Sequence, residues 1–278
     1  MPNLDFTVAP DKCVRCGACV GDCPRGIISR PGADALPEVP PALAGDCLEC
    51  QHCLAICPPG AIGVFGLNPE RSLELTPESL PSLRQMRTLL RGRRSVRQYR
   101  GENVPRPLLD ELLATLANAP TGCNDRGLSF LVVDDRASLD ALREKMVAAL
   151  EERILRGEPL PEFLASAARA HRQKGEDELF RGAPHLLIVS AGAESACPKE
   201  DVDLALAYFE LLARCAGLGT VWCGMLKFAL DAAPELRPCL GLDPDVHFYA
   251  ILFGYPDVRY ARTVQRDAAA AIRRLSFG

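Results

Sequence analysis

No apolar run in this 278-residue chain approaches the roughly 18 residues that cross a bilayer. The best stretch, 204–213, is short and interrupted by Glu210, so no membrane partner is expected. A basic excess is also missing: the formal net charge is -4, which argues against nucleic acid as a partner. Residues 1–12 have neither a basic start nor an apolar signal core, which points to a cytoplasmic setting that keeps thiols reduced. No G-x-G-x-x-G follows a strand, because Gly217-Leu218-Gly219 lacks the third glycine and follows a helical stretch, and there is no Walker loop. Only four histidines occur; His171, His185 and His247 read as structural, and no Ser/His or His/Asp pairing stands out for acid–base catalysis.

Cysteine is the exception to this scarcity. Eight of 13 fall into two copies of C-x2-C-x2-C-x3-C-P: Cys13, Cys16, Cys19 and Cys23 before Pro24, then Cys47, Cys50, Cys53 and Cys57 before Pro58. This is the ligand spacing of bacterial two-cluster 4Fe-4S domains, in which the fourth cysteine of each block reaches the other cluster. The expected sets are therefore Cys13, Cys16, Cys19 and Cys57 for one cluster, and Cys47, Cys50, Cys53 and Cys23 for the other. Zinc ribbons use two separated pairs per ion, not triplets with a displaced fourth thiolate. His52 lies inside the second block, but both quartets are complete without it. The remaining cysteines, Cys123, Cys197, Cys215, Cys223 and Cys239, are scattered and read as packing residues.

With 48% apolar and 24% charged residues, the chain can bury a sizeable core, and its length suggests two domains. Residues 1–67 form the expected cluster domain, small enough for the metal to supply much of its folding free energy. Residues 68–82, with Pro69, Pro77 and Pro81, read as a linker, and 83–278 as a second domain of α+β type. There, helical spacing marks 83–90, 108–116 and 139–154, and short apolar runs at 128–133, 185–190, 220–223 and 246–253 read as buried strands. Residues 203–216 are apolar around most of the helix circumference, as expected of a helix buried centrally or in a subunit interface.

Arg91, Arg93, Arg94, Arg97 and Arg100 crowd one turn region together with Ser95. Guanidinium groups present paired planar donors that suit phosphate oxygens, although a solvated helix end has the same composition. Four blocks in order carry a resemblance: residues 93–99 (RRSVRQY), 119–124 (APTGCN), 217–224 (GLGTVWCG), and 254–256 (GYP) with Arg259, Arg262 and Arg266 behind. Together they resemble the FMN-dependent nitroreductase family, and the whole chain is similar to ferredoxin–nitroreductase fusions of anaerobic bacteria.

The resemblance implies an FMN-binding enzyme that dimerises. Arg93, Arg94 and Ser95 would hold the FMN phosphate and ribityl end, and Arg97 would lie near the pyrimidine side of the ring. Arg262 or Arg266 would close on the phosphate. Pro120, Thr121 and Asn124 would reach the FMN of the second subunit of a homodimer. Backbone amides at Cys223 and Gly224 would donate to the ring. Family members often follow the asparagine with Gln-Pro-Trp, where this chain has Asp125-Arg126-Gly127-Leu128, so the substrate side differs. Clusters pass single electrons and flavin delivers pairs, so the fusion implies an oxidoreductase acting on a small electron-poor molecule such as a nitroaromatic, quinone or enone. A ferredoxin-type carrier and NAD(P)H both stand as donors, and an electron-transfer adaptor between proteins is the alternative reading.

Overall fold

The structure is a computed structural model that describes residues 4–266 and 270–277, so the ends of the expected domains at 1 and 278 lie outside the described residues. Its chain contacts divide into two units, Met1–Leu80 with Cys123–Asp125, and Pro81–Gly122 with Arg126–Gly278.

In the first unit, two two-residue strands, β1 (Thr7–Val8) and β2 (Ile62–Gly63), pair antiparallel. Two short helices, α1 (Ala18–Asp22) and α2 (His52–Ala55), start within the cysteine blocks. The apolar core is thin: Ile27, Ile28 and Ile62 are buried with Cys19, and Phe6, Val8 and Val39 pack around them. The expected linker folds into two 3-10 turns, Pro69–Arg71 and Pro77–Ser79, the first capped by the Asn68 side chain accepting from Glu70 N at 2.9 Å.

The second unit is built on a four-stranded antiparallel sheet ordered β3 (Leu128–Val133), β4 (His185–Ala191), β6 (His247–Gly254), β5 (Gly219–Trp222). All four strands coincide with the predicted apolar runs to within a residue. Alternation places Leu186 and Ile188 of β4 on one face and Leu187 and Val189 on the other. Both faces are covered, so the strands are largely apolar. One face packs against α5 (Arg136–Leu155), α6 (Glu162–Lys174) and α8 (Gly224–Ala232), and the other against α4 (Arg106–Thr115) and α7 (Pro198–Cys215). This is the expected α+β class. α7 buries Val202, Ala205, Leu206, Phe209 and Ala213 against the sheet, but leaves Leu204 41% and Tyr208 40% exposed. α3 (Leu83–Gly92), closed at its start by a Ser82–Gln85 capping box, buries no residue at all within one chain.

Candidate functional site

Each cysteine block folds the same way. Arg15 and Glu49, the residues before the second cysteines, have φ of 56° and 53°, and Gly17 and Gln51, just after them, have φ of 78° and 60°. These left-handed turns curl the chain so that successive thiols face one point. One cavity is lined by Cys13, Cys16, Cys19 and Cys57, and another by Cys23, Cys47, Cys50 and Cys53. The structure thus brings together the two quartets expected from spacing, each with its fourth thiol from the other block. Backbone amides already point at two of the sulfurs, Glu49 N at Cys47 Sγ (3.4 Å) and Ala61 N at Cys57 Sγ (3.2 Å). Burial raises the Cys19 and Cys47 thiols and pushes Cys53 up to about 11, so a thiolate there needs a positively charged core beside it. Among the described residues, no group of three or more His, Cys, Asp or Glu is arranged to hold a single metal ion.

In the second unit, the segment after α3 is sewn to the edge of β5. Val96 N donates to Thr220 O at 2.8 Å, and Ser95 bridges Thr220 in parallel register. The approach is close enough to require glycine at 219, since a Cβ there would sit 2.7 Å from Val96 Cγ2. Beside this seam lies a cavity of about 450 Å³ lined by Arg93, Arg94, Arg100, Arg214 and Arg259, with Leu218, Thr220, Pro256 and Tyr260 among the other walls. Arg93 pairs with Glu210 at 3.2 Å and Arg100 with Glu102 at 3.3 Å. Arg94, Arg214 and Arg259 have no carboxylate partner among the described residues. A cavity of this size with three uncompensated guanidinium groups fits an anionic ligand of nucleotide size.

Other expected residues fall differently. Ser95 and Arg97 follow on the same segment outside the cavity lining, and Arg97 is exposed. Of the C-terminal cations it is Arg259 that lines the cavity; Arg262 and Arg266 lie on exposed chain without regular secondary structure beyond it. Pro120 is exposed, Thr121 Oγ1 accepts from Arg126 N at 3.0 Å, and Asn124 Nδ2 donates to Leu48 O at 2.7 Å. Their loop is tied down at Gly122 N, which donates to buried Asp201 Oδ1 at 2.9 Å. The Cys223 amide donates to Ala250 O at 2.8 Å, continuing the pairing of β5 with β6. The Cys223 thiol is buried and pushed up to about 12 by desolvation, which makes it a packing residue. Gly224 is the first residue of α8, where the first-turn amides lack intrahelical partners.

Residues 90–255, more than half of the chain, match the nitroreductase family. The chain belongs to the nitroreductase family. Residues 12–62 match a 4Fe-4S dicluster domain ahead of it. The fold agrees: a nitroreductase with bound FMN from Bacteroides fragilis superposes with a TM-score of 0.55 at 20% identity, covering 68% of this chain and 99% of that one. An NADH dehydrogenase of Thermus thermophilus is 29% identical over 194 residues, 64% of this chain and 89% of its own length. An iodotyrosine deiodinase of Danio rerio is 26% identical over 171 residues, 59% of this chain and 57% of its own length. Nitroreductase membership makes the chain an oxidoreductase.

Sequence reading missed Arg214 and Glu210, both on α7. The signal was present: two charged residues four apart in the otherwise apolar stretch 204–215.

Proposed function

We propose that this nitroreductase is an iron–sulfur flavoprotein in which two 4Fe-4S clusters exchange electrons with FMN, and that it reduces a small electron-poor substrate of nitroaromatic, quinone or enone type. The observation that carries the reading is the presence, on one chain, of two four-cysteine cavities and one arginine-lined cavity of nucleotide size. Cys13, Cys16, Cys19 and Cys57 would ligate one cluster and Cys23, Cys47, Cys50 and Cys53 the other, with the Glu49 and Ala61 amides tuning the sulfurs. Arg93, Arg94 and Arg259 would hold the FMN phosphate, with Arg214 adding charge. FMN, when bound, supplies the conversion between single electrons and pairs. Gly224, at the start of α8, would offer an amide to the ring, so charge on the reduced ring is met by a backbone dipole rather than a side-chain acid.

The apolar side chains left open on α3 and α7, with Leu83 76% and Leu90 53% exposed, support pairing of two copies. The kinship with both a dehydrogenase and a deiodinase supports a reductive role with the substrate set by local loops, and residues 125–128 are where this chain departs from the common pattern. The test is anaerobic purification followed by iron, sulfide and flavin analysis, then stopped-flow mixing with NADH, NADPH or reduced ferredoxin. About eight irons and one FMN per chain are expected, with flavin bleaching by at least one donor. Stoichiometric zinc, or flavin-free protein that FMN does not reconstitute, would reject the proposal. Reduction without turnover of any nitroaromatic, quinone or enone would favour an electron relay.

A further inference from the structure

Two carboxylates interrupt the apolar buried face of α7: Asp201, which accepts from Gly122 N, and Glu210, which is 8% exposed. A carboxylate persists in such a face only when its oxygens are engaged. Its Oε1 accepts from Arg93 Nη1 at 3.2 Å and from Thr220 Oγ1 at 3.1 Å. Thr220 is in turn the β5 residue whose carbonyl accepts from Val96 N. Three parts of the unit therefore meet at one oxygen: α7, β5 and the segment carrying Arg93 to Val96.

Arg93 also lines the 450 Å³ cavity. A negative charge beside an anion cavity opposes anion binding, so its presence calls for a compensating role. An arginine that spends one nitrogen on a carboxylate keeps further N–H donors in the same rigid plane. We infer that Glu210 is a positioning residue: it fixes the Arg93 guanidinium so that the remaining donors face the phosphate of the bound flavin nucleotide. The inference rests on the function proposed above.

FMN and riboflavin share a ring and differ in the phosphate, so their relative affinities isolate phosphate recognition. Both are titrated by fluorescence into flavin-depleted full-length wild-type, E210Q, E210L and R93M proteins and the E210L/R93M double variant. The preference for FMN over riboflavin should fall about 10-fold in E210L, with riboflavin affinity within about twofold of wild type. E210Q, whose amide oxygen still accepts from Arg93, should lose less, about threefold. In the R93M background, E210L should change the preference no further. Equal weakening of both flavins would mean that Glu210 only packs α7, and a gain in FMN preference would mean that it only repels; either overturns the inference. Should E210L fail to fold, the isosteric E210Q decides by the same ratio, and an unchanged ratio there is negative. A wild-type protein indifferent to the phosphate sinks the functional reading itself, and this inference with it.

Discussion

Gln51 holds a left-handed backbone that its counterpart in the other cysteine block, Gly17, holds without a Cβ. The side chain costs about 1 kcal/mol in that region, so Gln51→Gly should raise, and Gly17→Ala lower, the midpoint of anaerobic guanidinium unfolding, with both quartets still loaded. Cys223 makes the opposite kind of point. A thiol pushed up to about 12 carries no useful thiolate at neutral pH, and its hydrogen is directed to Leu179 O at 3.6 Å. Cys223→Ala should keep substrate turnover within about threefold while costing about 1 kcal/mol of stability through a small cavity, and iodoacetamide at pH 8 should leave Cys223 unmodified in the folded protein. At this scale the two cysteine quartets that line the cavities were legible, because ligand spacing is a local property of the chain. Arg259 was not separable from Arg262 and Arg266, since which of three exposed cations turns into a cavity depends on the extended path after β6 rather than on spacing.

Among the elements, β4 starts on a histidine that must stay neutral. His185 Nε2 accepts from Val104 N at 2.8 Å, its ring stacks on Phe253 at 5.0 Å, and burial holds its pKa below the usual 6.5. The unfolded chain takes up a proton below pH 6.5 that the folded chain refuses, so stability is flat above that value and declines as pH drops beneath it. Comparing guanidinium midpoints between pH 7 and about 5, the His185→Gln variant should be less stable at pH 7 but lose less on acidification than wild type; parallel curves would remove His185 from the acid response. The strands were legible because both faces of the sheet are covered, which makes each a short, largely apolar run. α6 escaped notice because its buried face is mostly Ala165, Ala167 and Ala168 around a single Leu164, too small to mark a helical stripe. α3 shows the reverse: its leucines have helical spacing, yet none is buried within the chain.

For the whole molecule, those open faces translate into an expected assembly. Sedimentation velocity of the holoprotein should give a dimer at micromolar concentration, and Leu83→Glu with Leu90→Glu should shift it toward monomer and weaken FMN retention together. A monomeric wild type that retains FMN would separate flavin binding from pairing. Two modules with different carriers were readable from the sequence because each has its own motif set. The Glu210–Arg93–Thr220 junction was not, because it joins residues 117 positions apart through a fold that only packing assembles.

In the proposed function, the clusters and the flavin share electrons within one chain. Fully reduced protein, mixed anaerobically with excess nitroaromatic acceptor in a stopped-flow spectrometer, should return about four electrons per chain, one from each cluster and two from FMN, with the cluster and flavin bands both reoxidising. Reoxidation of the flavin alone, with the clusters still reduced after many turnovers' time, would mean that the two carriers do not exchange electrons.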